Sequence, residues 1–107
     1  MNKKQLEILE NNFRIYKYND GWDLENWTDG GVDMIINIDA NNNIVEELES
    51  YIENFDIDEE IDLHRQDERY KKRFRISESV KDFENWVEFI ENVIEKLKVK
   101  IWQNKKR

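Results

Sequence analysis

A chain of 107 residues holds one hydrophobic core, since a second domain would need roughly 50 residues of its own, and few apolar residues are left to line a large ligand cavity. Cysteine is absent and histidine occurs once, which excludes disulfides, thiolate nucleophiles and Cys/His zinc sites. With 25 acidic against 17 basic residues the net charge is −8, the balance of a soluble acidic domain.

In chain order, Leu6, Leu9 and Phe13 fall at i, i+3 and i+7 among polar residues, which predicts a short amphipathic helix over 3–12. The period then changes to two. Phe13–Tyr18, Gly21–Thr28 and Val32–Asp39 are β-branched or aromatic runs, separated by Asn19-Asp20-Gly21 and Asp29-Gly30-Gly31, and turns of that composition join antiparallel strands because glycine accepts positive φ. A three-stranded meander follows. Alternation points Trp22, Leu24, Val32, Met34, Ile36 and Ile38 into the core, and Asp23, Glu25, Trp27, Asp33, Ile35, Asn37 and Asp39 to the opposite face.

Beyond Asn41-Asn42-Asn43, the residues Ile44, Val45, Leu48, Tyr51, Ile52 and Phe55 form a helical stripe, with Glu46, Glu47, Glu49 and Glu53 outside it. Residues 56–63 read either as a loop with apolar anchors or as the start of a helix running toward Phe74. The last helix is predicted to be capped by Ser77 or Ser79, the latter making a capping box with Asp82. Its stripe is Val80, Phe83, Val87, Ile90, Ile94, Leu97 and Ile101, with Trp86 and Val93 beside it, and Asn104–Arg107 fray. The fold class is α+β, a three-stranded antiparallel meander packed by helices with a long C-terminal helix, in one domain spanning 1–107.

Chemistry has little to work with. His64 reads as a partly exposed helix residue, and Gly21, Gly30 and Gly31 fit no phosphate-loop or dinucleotide pattern. Asp39–Asn43 and Asp56–Glu60 open like calcium loops, but Ile44 and Ile61 stand where such a loop needs glycine, and Ser50 and Asp67 where it needs a bidentate glutamate. Paired carboxylates of the glycosidase kind need a pocket with two differently tuned environments, which a chain this short does not favour. No cofactor, metal or catalytic residue is called for. No apolar run approaches the ~20 residues that cross a bilayer, and Met1-Asn2-Lys3-Lys4 leads into Glu7 and Glu10 rather than into a signal-sequence core, so a cytoplasmic location is expected.

The distribution of charge is the strongest signal. Residues 1–63 hold 17 acids and four bases, net −13, and residues 64–107 hold eight acids and 13 bases, net +5. Between Lys17 and Arg65 there is no Lys or Arg, while 15 carboxylates occupy that interval. Asp56, Asp58, Glu59, Glu60 and Asp62, joined by Glu46, Glu49 and Glu53, are the prime candidates to meet a cationic partner, and Asp23, Glu25, Trp27 and Asp33 on the outer sheet face come next. A bland alternative stands beside this: Asp56 or Asp58 caps a helix, Arg65 or Arg69 neutralises the others, and the acids only solvate. Arg65, Arg69, Lys71, Lys72, Arg73 and Arg75, with Tyr70 and Phe74 interleaved, form a basic segment over 65–75 with the composition of a nucleic-acid contact. The overall charge opposes direct nucleic-acid binding.

The run Gly21-Trp22-Asp23-Leu24-Glu25-Asn26-Trp27-Thr28-Asp29-Gly30-Gly31-Val32-Asp33-Met34-Ile35, then Tyr51 to Asp67, and then Ser79, Asp82 and Phe83, resembles small uncharacterised acidic proteins of Firmicute phages and conjugative elements. The likeness covers about residues 15–97. It implies a mobile-element neighbourhood in the cytoplasm of a bacterial host, where small acidic proteins act against restriction enzymes and CRISPR effectors. By that analogy the expected partner is the basic surface of a nucleic-acid-binding protein, blocked by DNA mimicry, with no enzyme activity and no membrane. The alternatives are a nucleic-acid-associated regulator acting through 65–75, a cryptic enzyme, and an assembly role on the mobile element.

Overall fold

Asn2 starts the first helix by accepting from the Gln5 amide at 2.8 Å, while the Gln5 side chain accepts from the Asn2 amide at 3.1 Å, a reciprocal cap. In the computed structural model residues 1–98 are described with their side chains, and the last helix continues as backbone to Lys106. The expectation on Ile101 concerns a side chain outside those described; Asn104–Lys106, expected to fray, continue the helix, and Arg107 lies outside the described residues. Helix α1 (Lys3–Asn12) ends where Phe13 turns extended and is buried. Strands β1 (Arg14–Lys17), β2 (Gly21–Trp27) and β3 (Asp33–Asp39) then form one antiparallel sheet in the order β1-β2-β3.

The β2–β3 register pairs Trp22 with Ile38, Leu24 with Ile36 and Asn26 with Met34 on the inner face, and Asp23 with Asn37, Glu25 with Ile35 and Trp27 with Asp33 on the outer. Leu24, Val32, Met34, Ile36 and Ile38 are buried and Trp22 is half-buried, so the predicted faces hold. Asn26, the polar residue on the inner side, donates to the Asn12 carbonyl at 2.8 Å and so satisfies the end of α1. Of the three glycines only Gly31 has positive φ, +89°; Gly21 is required instead because a Cβ there would meet the Ile38 carbonyl oxygen at 2.0 Å.

Asn43 caps α2 (Ile44–Glu53) by accepting from the Val45 and Glu46 amides at 2.9 and 3.2 Å. The ambiguous stretch after it is helical: α3 (Ile57–His64), capped by Asp56, is followed by α4 (Glu68–Arg73). One continuous helix toward Phe74 does not form, because Asp67 leaves the helix at that point and caps α4 through the Arg69 and Tyr70 amides, at 3.0 and 3.4 Å.

The long helix α5 (Ile76–Lys106) departs from its predicted cap. Ser79 already donates its amide to the Arg75 carbonyl at 2.9 Å, inside the helix, and Glu78 reaches back to the Arg75 amide at 2.8 Å. The carboxylate of Glu78 therefore starts the helix a turn early, and Asp82 is spent elsewhere. Trp86 and Val93, placed beside the stripe from sequence, belong to the buried seam with Phe83, Ile90, Ile94 and Leu97, whereas Val87 is half-buried. The seam packs on α1, α2 and α3 and shares one core with the inner sheet face. No described helix is long and apolar enough to cross a membrane.

Candidate protein-binding surface

Helix phase decides which carboxylates of α2 reach solvent. Ile44 and Leu48 are buried, so Glu46, Glu49 and Glu53, at i, i+3 and i+7, share the opposite exposed face. Glu49 is bound by Lys98 of α5 at 3.0 Å. On α3, Ile57 and Ile61 turn inward and leave Asp58, Glu59 and Asp62 exposed. Asp56 accepts from the Glu59 amide at 3.2 Å as the helix cap, and the negative charges of the first turn lie at the positive end of the helix dipole. Asp62 is 3.6 Å from Arg65, and Glu60 is 3.5 Å from His64.

The bland alternative therefore accounts for part of this cluster. Asp56, Glu49, Glu60 and Asp62 have local partners, and Glu46, Glu53, Asp58 and Glu59 lie beyond ion-pair reach of any described cation. His64 is a partly exposed helix residue, as its place in the sequence leads one to expect. Its ring stacks on Phe83 at 6.0 Å between centroids, which ties the end of α3 to α5.

The outer sheet face is the other candidate surface, and no described element packs over it. Trp27 and Ile35 are 47% and 50% exposed, and Tyr16 and Tyr18 extend the aromatic strip beyond the residues singled out from sequence. The same alternation that placed Asp23 and Asp33 there would have placed Tyr16, which pairs with Asp23. Glu25 lies on this face but is not an open carboxylate. Flanked by Arg14 and Ile35 on the central strand, it is 9% exposed and accepts from the Tyr16 hydroxyl at 3.2 Å. Asp23 accepts from the Asn37 side chain at 2.6 Å, and Asp33 is exposed opposite Trp27.

Among the described residues no group of three or more His, Asp or Glu side chains has the geometry to hold a metal ion. Asp39, first in one calcium-like run, accepts from the Asn41 amide at 2.8 Å, so its oxygen serves the turn into α2. The sheet and helices thus give two acidic faces, one helical and one flat with exposed aromatics. No known protein family, no curated protein and no solved structure matches this chain.

Proposed function

We propose that this protein is a non-catalytic inhibitor that competes with nucleic acid for the cationic groove of a nucleic-acid-binding enzyme. The observation that carries this reading is the charge arrangement. Of fifteen carboxylates without a Lys or Arg among them, twelve fall on α2, α3 and the strands β2 and β3, and Glu46, Glu53, Asp58 and Glu59 stay unpaired within the described residues. Such crowding is repulsive in isolation and is relieved by a cationic partner.

The exposed Trp27, Tyr16, Tyr18 and Ile35 of the sheet face supply what charge alone does not, since aromatic anchors dominate the energetics of protein interfaces. The resemblance to phage and conjugative-element proteins directs the choice of enzyme to a CRISPR effector or restriction nuclease of the bacterial host, met in its cytoplasm.

The test is DNA cleavage by such a nuclease at increasing concentrations of the protein. Inhibition is expected to weaken as substrate DNA is raised and as salt is raised. Inhibition indifferent to DNA concentration would remove the competition, and no inhibition across the nucleases of the host would remove the function. A regulator acting on nucleic acid through 65–75 is the second reading, favoured by one observation: Arg69, Lys72 and Arg73 of α4 open onto a cleft beside Trp27.

A further inference from the structure

The cations of α4 are placed with more care than a solvated helix needs. Tyr70, buried, and Phe74, half-buried, pack ring on ring at 5.1 Å, while Arg69, Lys72 and Arg73 are exposed. Asp82, only 3% exposed, accepts from both the Tyr70 hydroxyl and the Gly30 amide at 2.9 Å. Arg73 donates to the Gly30 carbonyl at 3.1 Å. The peptide of Gly30 is thereby held on both sides, and the β2–β3 turn is clamped to α4 and α5. No side chain larger than hydrogen fits at Gly30, where a Cβ would lie 2.6 Å from Asp82 Oδ2 and 2.9 Å from the Tyr70 ring.

Between this turn and α4 lies a cleft of about 760 Å³, within the size range of small-molecule sites. Three features of its lining converge on one chemistry. Arg69, Lys72 and Arg73 supply positive charge and make no ion pair with any described carboxylate, although acids outnumber bases in the chain. Trp27 is half-exposed and lines the cleft, an aromatic ring against which a flat base can stack. Asp33 is the direct cross-strand neighbour of Trp27 and offers an acceptor for a sugar hydroxyl or an exocyclic amine. The other carboxylate of the cleft, Asp67, is already engaged in capping α4.

The geometry points to a nucleotide site: phosphate on Arg69 and Lys72, base on Trp27, and ribose or base amine on Asp33. A mononucleotide fits this arrangement better than a strand of nucleic acid, because the sheet face and α3 that adjoin the cleft carry the acidic half of the molecule and repel a longer polyanion. The site shares Trp27 with the proposed interface but none of the carboxylates on α2 and α3, so nucleotide binding can fail while the inhibitor reading stands, and the reverse.

The experiment is calorimetric titration of the full chain with AMP, GMP, CMP and UMP, set beside inorganic phosphate, adenosine, and a 5′-phosphorylated oligonucleotide. Arg69→Ala/Lys72→Ala and Trp27→Ala are run in parallel, with circular dichroism to confirm folding, and the Trp27 indole N–H is followed by NMR. At least one mononucleotide is expected to bind one to one, shift that indole signal, and lose about tenfold or more in affinity in each variant. Phosphate and adenosine alone are expected to bind more weakly than the mononucleotide. The proposal is overturned if no mononucleotide binds at millimolar concentration, if the folded variants bind as the parent does, or if the oligonucleotide binds more tightly than any mononucleotide.

Discussion

Asp82 joins three parts of the molecule through one carboxylate: α5, which carries it; the Gly30 turn, 52 residues away in sequence; and Tyr70 of α4. Replacing it by alanine orphans a buried amide and a buried hydroxyl, each costing about 1–3 kcal/mol. Asp82→Ala is therefore expected to lower unfolding stability by about 2–5 kcal/mol in urea titration, and Asp82→Asn, which keeps an acceptor, by less. Gly30→Ala is expected to be destabilising as well, because its methyl group must displace Asp82 or the Tyr70 ring. A second consequence concerns pH. Burial, with the bond to Asp82 adding to it, pushes the Tyr70 hydroxyl up to about 12, and burial pushes Tyr51 up to about 12 against its bond from Trp86. Each keeps its proton in the folded chain after the unfolded chain, titrating near 10, has released it. Their contribution is complete below about pH 10 and is lost as pH climbs toward 12. Following tyrosinate absorbance with pH is expected to show these two ionising last, together with alkaline unfolding. None of this was legible in the sequence, where Ser79 and Asp82 have the spacing of a helix cap; only the fold brings Gly30 within reach.

At the scale of elements, periodicity carried most of the information. The meander, its two faces, α1 and α2 follow from alternation, helical spacing and turn composition, because each buries one apolar side against a common core. The break between α3 and α4 was hidden, since its signal is Asp67, one capping aspartate among many charged residues. The phase of α5 was legible only to within half a turn. Trp86 and Val87 are one position apart and only Trp86 is buried, whereas the neighbours Val93 and Ile94 are buried together. Ile90 lies in the seam in either phase and is fully buried. Its truncation to alanine is expected to cost about 2–5 kcal/mol, read from the shift of the urea midpoint. A loss below about 0.5 kcal/mol, the range of surface substitutions, would contradict this packing.

Over the whole molecule, the separation of charge is visible in sequence, but the division of labour within it is not. Folding turns some carboxylates into structural groups: Asp56 caps α3, Glu49 pairs with Lys98, Asp62 with Arg65 and Glu60 with His64. It leaves Glu46, Glu53, Asp58 and Glu59 exposed without a described cation in reach, and this distinction needed the helix phases and the position of α5. Neutralising these four to Glu46→Gln, Glu53→Gln, Asp58→Asn and Glu59→Gln is expected to leave the fold intact, since none of their side chains holds a hydrogen bond to another element among the described residues, and to relieve mutual repulsion. The most direct measurement is the affinity of the parent and of this fourfold variant, across a salt series, for a nuclease that the protein is found to inhibit. Electrostatic binding to a nucleic-acid groove predicts a parent affinity that falls steeply with salt, and a folded variant that binds more weakly with a shallower dependence. Equal affinity and equal salt dependence in the folded variant would contradict it.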